Sequence, residues 1–236
     1  MRRNFLGIFL LALLSLTVAA PAMATGAADD VAQWNFDVFL NDKKVGKHSF
    51  TVSQSGGEKQ VESEASFKYT VLFIPAYRYE HTAAERWEDQ CLVEIDEKTN
   101  ANGERLEVRG QHTGSAFRLV NGDDTRAELP ECVMTFAYWN PAILESQRLL
   151  NSQTGEYEDV TVALEGREQL TVAGQQIDTL RYRLSAEAGD ITLWYSSADN
   201  TWVGLEAPAK GGRKLRYQAV VVPGRDTSRQ LVARSD

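Results

Sequence analysis

Apolar and polar residues alternate at every second position through most of the chain, most clearly from Leu170 to Val222. Turn clusters such as Ala188-Gly189-Asp190 and Lys210-Gly211-Gly212 separate the alternating segments. Successive side chains of a strand point to opposite faces, so a period of two predicts strands with one buried face. The run therefore predicts an antiparallel meander that buries one side of its sheet.

The N-terminal half carries the same signal. Apolar residues occupy the even positions from Trp34 to Leu40, Asn41 to Lys44 supply a turn, and Gly46, His48, Phe50 and Val52 share one face of the next strand. A third strand alternates from Val61 to Val71. Pro75 then interrupts the pattern, because proline has no amide hydrogen for a central ladder.

The strand after Pro75 differs from the others because its apolar face also carries polar groups. The residues on that face are Tyr77, Tyr79, His81, Ala83, Glu85 and Trp87. This face is aromatic and polar together, unlike the aliphatic face of the strand before it.

The middle of the chain predicts a dense aromatic strand followed by a helix. Met134 to Trp139 form the predicted strand, and Asn140-Pro141 have the form of a helix start, with a capping side chain and proline at the first helical position. The helix is expected to run two to three turns and to end near Asn151. It either covers one end of the core or closes a ligand cavity as a plug.

These patterns predict an all-β protein with about ten to twelve short strands and one short helix near residues 141–150. The expected architecture is a large curled antiparallel sheet, in the form of a half-barrel, a closed barrel or a sandwich. We expect a single β-domain over residues 25–222 and a flexible polar tail over residues 223–236.

The first 24 residues form a predicted signal peptide. Arg2 and Arg3 precede an apolar run from Phe5 to Ala20, and Ala22-Met23-Ala24 is a small-x-small cleavage site. Arg2 and Arg3 are compatible with both the general secretory and the twin-arginine signal, so the sequence does not decide between these two export routes. After cleavage the protein is expected to be periplasmic and not membrane-spanning.

Charge narrows the partners that the mature chain could bind. Without Arg2 and Arg3, 23 basic residues stand against 33 acidic ones, a formal charge of −10, and no basic cluster is present in the sequence. Nucleic acids and anionic lipid headgroups are therefore disfavoured.

Two cysteines, Cys91 and Cys132, belong to the mature chain. In an exported protein two cysteines most simply form one disulfide, because the compartment is oxidising. The bond would close a loop of roughly 40 residues and tie the first β-region to the strand that leads into the helix.

The sequence gives no sign of a catalytic motif or a cofactor site. His48, His81 and His112 all lie on the apolar parity of their strands, and with Glu85 they would suit zinc. However, a simple meander places these histidines on non-adjacent strands, about 10 Å apart at the nearest, so we expect no metal site.

Aromatic residues from separate strands are the stronger candidates for a site. Rings with a hydroxyl or N–H at one edge suit a cavity for an apolar ligand with one polar end, although such rings also form ordinary cores. The predicted ligand-binding residues are Tyr77, Tyr79, His81, Trp87, Tyr138, Trp139 and Tyr195. Trp194 has the opposite parity from Tyr195 and is expected on the convex side, where an exposed ring would mark a partner surface.

Several short stretches also resemble a known but uncharacterised family. They include Tyr77-Arg78-Tyr79-Glu80-His81, Glu85-Arg86-Trp87, Phe136-Ala137-Tyr138-Trp139 and Gln153-Thr154-Gly155. Together these stretches resemble a family of exported bacterial β-rich proteins that is known as a domain of unknown function. The ending from Gly174 to Tyr217 is similar to a second such family. In architecture, both are similar to periplasmic half-barrel carriers of lipid or lipoprotein, which is an analogy of fold only.

Three functions are compatible with the sequence. The first is a non-enzymatic periplasmic protein that binds a hydrophobic small molecule or lipid inside a curled sheet. The second is a structural or assembly module that binds an envelope protein and has no ligand cavity. The third is a metal-dependent hydrolase.

Overall fold

The computed structural model describes residues 30–71, 74–121 and 125–224. The predicted signal peptide and most of the predicted tail lie outside these residues. In the described ranges no helix has the length and hydropathy needed to span a bilayer.

The described chain contains fifteen strands and one short 3₁₀ helix. The strands are β1 (Asp30–Leu40), β2 (Lys43–Ser55), β3 (Glu58–Val71), β4 (Ile74–Glu88), β5 (Cys91–Ala101), β6 (Glu104–His112), β7 (Phe117–Asn121), β8 (Thr125–Leu129), β9 (Arg148–Leu150), β10 (Tyr157–Asp159), β11 (Thr161–Val172), β12 (Gln175–Ala186), β13 (Gly189–Ser196), β14 (Trp202–Ala209) and β15 (Arg213–Val221). The helix spans Pro141–Glu145. The all-β prediction is confirmed, with more strands than the ten to twelve expected.

Thirteen of the strands form one antiparallel sheet of simple topology. Each strand pairs with the next in sequence from β1 to β8 and from β11 to β15, and β15 pairs with β1. The edges are β8 and β11, which do not pair with each other in the described part of the chain, so the sheet is curled but not closed. Strands β9 and β10 form a separate hairpin.

The inner face follows the alternation read from the sequence. Trp34, Phe36 and Val38 of β1 are buried, as are Phe50 and Val52 of β2. Strong curling brings together inner side chains of strands that are not neighbours: the Trp34 indole N–H donates to the carbonyl of Trp202, across the intervening strand β15. The concave side of the sheet is therefore narrow and densely aromatic.

Residues 130–160, which connect β8 to β11, pass over the concave face and are called the crossing segment. Trp139 packs edge-on against Trp87 at 5.6 Å between ring centroids, and Tyr138 packs at 5.4 Å from Trp202. Asn140 Nδ2 donates to Gln90 Oε1 at 2.8 Å. The crossing segment thus fills much of the space that the sheet encloses.

Two predictions for this region are wrong. Met134 to Trp139 do not form a strand, and in this stretch only Thr135 makes a bridge, to Leu150. The helix has five residues and 3₁₀ geometry, although Asn140 caps it and Pro141 opens it as expected. The segment is enclosed from more than one side, so its backbone takes irregular partners such as the bond from the Leu150 amide to the Met134 carbonyl, and periodicity fails as a guide.

Trp194 lies on the opposite parity from Leu193 and Tyr195, as expected, but it is not exposed. Its indole N–H donates to Glu168 Oε1, and the ring lies over Gly204. The expectation of an exposed Trp194 surface is therefore wrong, because β11 and its polar side chains partly cover the ring.

The predicted disulfide joins Cys91 at the start of β5 to Cys132 in the crossing segment. Beside it, the Leu92 amide donates to the carbonyl of Val133 at 3.0 Å. The disulfide and this hydrogen bond together hold the beginning of the crossing segment against β5 of the sheet.

Removing the disulfide should lower thermal stability. The bond spans 41 residues, and closure of a loop of that size is worth at most about 4 kcal/mol, or about 8–16 °C in Tm. We expect Cys91→Ala to melt at a lower temperature, and Cys91→Ala with Cys132→Ala to be no less stable than either single variant. Calorimetry measures the effect, and two free thiols in the denatured, unreduced wild type would contradict it.

Gly46 marks a close approach of two strands. A Cβ at this position would lie 1.9 Å from the carbonyl oxygen of Ser66 and 2.9 Å from Cα of Phe67, which are backbone atoms. We expect Gly46→Ala to destabilise the protein by about 1–3 kcal/mol in urea unfolding, because the two strands must separate. Gly166→Ala on β11 is the control, since its Cβ would meet no atom within 4 Å. Equal losses in the two variants would contradict the argument.

Candidate functional site

A cavity of about 240 Å³ remains between the concave face of the sheet and the crossing segment. Strands β2 to β5 supply one wall, and β12 to β15 supply residues of the opposite wall. Aromatic rings form much of the lining: Phe50, Tyr79, Phe136, Tyr138, Trp139 and Tyr217. The same cavity also carries a chain of polar groups, which distinguishes it from an ordinary hydrophobic core.

His48 of β2 is the centre of the first polar group. Its Nδ1 lies 3.0 Å from the hydroxyl of Tyr217, and its Nε2 lies 2.7 Å from Oγ of Ser63. The ring stacks on Phe50 at 4.1 Å between centroids. Burial, with a smaller effect from His81, lowers the pKa of His48 to about 3, so this imidazole is neutral at pH 7.

His81 of β4 is the centre of the second polar group. Its Nδ1 lies 2.8 Å from Oγ1 of Thr99, and burial lowers its pKa to about 4. The rings of His48 and His81 are 6.3 Å apart between centroids. The expected separation of about 10 Å is wrong for His48 and His81. The sheet is curled, so inner side chains of β2 and β4 approach each other over the intervening strand β3. His112 is separate, at the end of β6, with Nδ1 accepting from the amide of Gly114.

Glu97 of β5 is the most enclosed charged residue of the cavity, with a side chain that is 2% exposed. Its Oε2 lies 3.7 Å from Nε2 of His81, and this oxygen atom has no hydrogen-bond partner in the described part of the chain. Ser152 of the crossing segment hydrogen-bonds to the same carboxyl group. Burial, together with the nearby carboxyl of Glu85, raises the pKa of Glu97 well above its usual range. An unpartnered buried oxygen is costly in a folded protein, which makes Glu97 a candidate site residue.

Glu85 of β4 connects the sheet to the crossing segment. Its Oε2 accepts from the indole N–H of Trp87 at 2.9 Å, and its Oε1 accepts from the hydroxyl of Thr135 at 3.3 Å. Burial raises the pKa of Glu85 to about 7, and these two hydrogen bonds oppose that rise. Buried acids whose pKa values are raised inside a cavity are typical of functional sites.

The cavity brings together four of the seven predicted ligand-binding residues: Tyr79, His81, Tyr138 and Trp139. The other three lie elsewhere: Trp87 and Tyr195 are fully buried in the core, and Tyr77 is 40% exposed. Tyr195 supports the site from behind, since its hydroxyl donates to the carbonyl of Tyr138 at 2.9 Å.

Several polar residues of the cavity were not among those predicted: His48, Ser63, Glu85, Glu97 and Tyr217. Each lies on the inner parity of its strand, which is the signal that could have identified it. His48 and Glu85 were considered in the sequence only as metal ligands. No group of three or more metal-binding side chains occurs among the residues that the structure describes.

Comparisons with known proteins give a family and a fold. Residues 36–220 match the model of a family described as a domain of unknown function, DUF6134. A search of the curated proteins gives no match. The crystal structure of a beta-barrel-like protein of another domain of unknown function, DUF1849, from Brucella abortus is 8% identical, with a TM-score of 0.58 over 80% of this chain and 95% of that one. That likeness indicates a shared fold alone.

Neutralising Glu85 should change how stability depends on pH. A carboxyl whose pKa is raised from about 4.5 in the unfolded chain to about 7 in the fold stabilises the protein below pH 4.5, and this stability is lost as pH rises through 7. We expect Glu85→Gln to gain roughly 1–3 kcal/mol relative to wild type on going from pH 5 to pH 8. Urea unfolding at the two pH values measures this gain.

The histidines act in the opposite direction, because their lowered pKa values cost stability as pH falls below 6.5. This contribution is present in both proteins and cancels in the comparison. Glu62→Gln, at an exposed position on β3, is the matched control and should leave the pH dependence unchanged. A difference between Glu85→Gln and wild type that is the same at pH 5 and pH 8 would contradict the assignment.

Proposed function

The chain belongs to the DUF6134 family, a domain of unknown function, and from its cavity we propose that it binds a small amphiphilic ligand inside the curled sheet without catalysing a reaction. The observation that carries this proposal is the cavity itself, with aromatic walls and a partly unsatisfied polar end. Ligand sites in proteins combine these two properties, since apolar walls give affinity and a few polar groups fix orientation.

The apolar body of the ligand would lie against rings from both sides of the cavity. Phe50 and Tyr79 come from the sheet, and Tyr138 comes from the crossing segment. Ile191, Leu205 and Leu215 extend the apolar wall on the opposite side. Removing an aliphatic group from water against such walls contributes about 25 cal/mol per Å² of buried apolar area.

The volume sets the size of the ligand. Sites for drug-sized ligands span roughly 300–1,000 Å³, and this cavity of about 240 Å³ lies just below that range. A small amphiphile, or the end of a longer chain, therefore fits the proposal better than a whole lipid. The predicted signal peptide supports a periplasmic place of action.

A structural role as an envelope module is the second candidate. The crossing segment favours it, because Val133, Ile143 and Leu149 are fully buried and fill much of the interior with the protein's own side chains. The remaining cavity favours ligand binding over this role, since a purely structural interior gains stability from closing such a space.

Filling the cavity should abolish binding. Ala83 of β4 lines the cavity, whereas its neighbour Ala84 is exposed on the outer face. We expect native mass spectrometry of gently purified wild type and Ala84→Leu to detect the same bound small molecule, and Ala83→Leu to have lost at least nine-tenths of it. An empty wild type, or equal occupancy in the two variants, would contradict ligand binding in this cavity.

A further inference from the structure

We propose that the ligand is a cationic amine, whose ammonium group binds Glu97 while its apolar part lies against the aromatic rings of the cavity. This inference rests on the proposed ligand-binding function and adds the chemical class of the ligand. Its basis is the set of charges and hydrogen-bonding groups that face the cavity.

The Oε2 atom of Glu97 has no hydrogen-bond partner among the described residues. Burial and the neighbouring Glu85 favour the protonated carboxyl when no cation is bound. An ammonium group beside Glu97 would favour the carboxylate instead, so the carboxyl would release its proton to solvent and accept the N–H groups of the ligand. The Nε2 atom of His81 is 3.7 Å away from Oε2 of Glu97, which is beyond hydrogen-bond distance. The other nitrogen of His81 is already paired with Thr99. A ligand with several N–H groups would satisfy Glu97 and, in the tautomer where Nε2 carries the lone pair, His81 as well.

All the formal charges among the described lining residues are those of carboxyl groups. Glu85, Glu97 and Glu158 line the cavity, and its described lining contains no Lys or Arg. Glu158 is satisfied by the protein, because its Oε2 accepts from the amide of Glu187 at 2.9 Å. A carboxylate or phosphate ligand would meet three acids and no cation, so the lining selects against anions.

The aromatic lining favours a cation for a second reason. Tyrosine and phenylalanine rings attract ammonium groups through their negative faces, most strongly where water is excluded. Tyr79 stacks on His81 at 6.1 Å between ring centroids, and Nε2 of His81 lies 3.7 Å from Oε2 of Glu97. An amine bound at Glu97 would therefore lie beside an aromatic ring.

A set of three eight-carbon probes with different head groups tests the inference. Octylamine, octan-1-ol and octanoate are titrated into the intact wild-type protein at pH 7.5 by isothermal calorimetry. We expect octylamine to bind at least ten-fold more tightly than octan-1-ol, and octanoate to bind most weakly. Octanoate or octan-1-ol binding as tightly as octylamine would overturn the inference and leave the proposed function standing.

A variant then assigns the selectivity to one carboxyl group. We expect Glu97→Gln to remove the ten-fold preference for octylamine while changing octan-1-ol affinity less than two-fold. Glu62→Gln, which removes an acidic residue exposed on the outer face, should keep the preference. Unchanged octylamine affinity in Glu97→Gln would overturn the inference.

The wild-type ranking decides the inference even if Glu97→Gln fails to fold. Glu97→Asp, which keeps the charge but withdraws it by one methylene, should retain a weakened preference for the amine. If none of the three probes binds the wild type, the cavity is not a site for small amphiphiles, and the proposed function fails together with the inference.

Discussion

The structure depends on one packing constraint, which is that the concave face of a curled open sheet must be covered. The apolar side chains on the inner face of the thirteen-stranded sheet must pack against another part of the chain to leave water. The crossing segment covers that surface, and it is fixed at its start by the Cys91–Cys132 bond and the Leu92–Val133 backbone bond. The cavity is the part of the enclosed space that this segment does not fill, so its shape depends on where the segment is attached.

The same attachment determines the chemistry of the cavity. Thr135 of the crossing segment donates to Glu85 and so satisfies one buried acid, whereas no described group satisfies the second oxygen of Glu97. Polar groups in a low-dielectric interior interact strongly, and an incomplete network costs stability. Proteins keep such a cost mainly at functional positions. Ligand binding is our explanation for its presence here.

Much of the fold could be predicted from the sequence because a half-buried strand leaves a local signature. The alternation from Trp34 to Val52 and from Leu180 to Tyr195 gave the inner faces correctly, and two cysteines after a predicted export signal gave the disulfide. A bulge at Trp194 and Tyr195 places Trp202 on the inner face of β14, which the alternation did not indicate. The Asn140-Pro141 start of the helix was also local. The length of the helix has no such local signal. The helix ends at Ser146, whose backbone is extended, and Arg148–Leu150 pair with β10 as a strand.

The site was harder to predict because it depends on long-range geometry. Glu97 lies on the inner parity of β5 together with Ile95 and Thr99, but the alternation does not show that its Oε2 atom lacks a partner, because that depends on where the crossing segment lies. The approach of His48 to His81 requires the curl of the whole sheet, which no single strand encodes.

The most direct test of the account is a crystal structure of the protein soaked with 4-bromobenzylamine, in which bromine is located by its anomalous scattering. The account predicts bromine among the rings of the cavity and the amine nitrogen within hydrogen-bond distance, about 2.7–3.2 Å, of Glu97 Oε2. Bromine bound only on the outer face of the sheet, or a nitrogen directed away from Glu97, would contradict it.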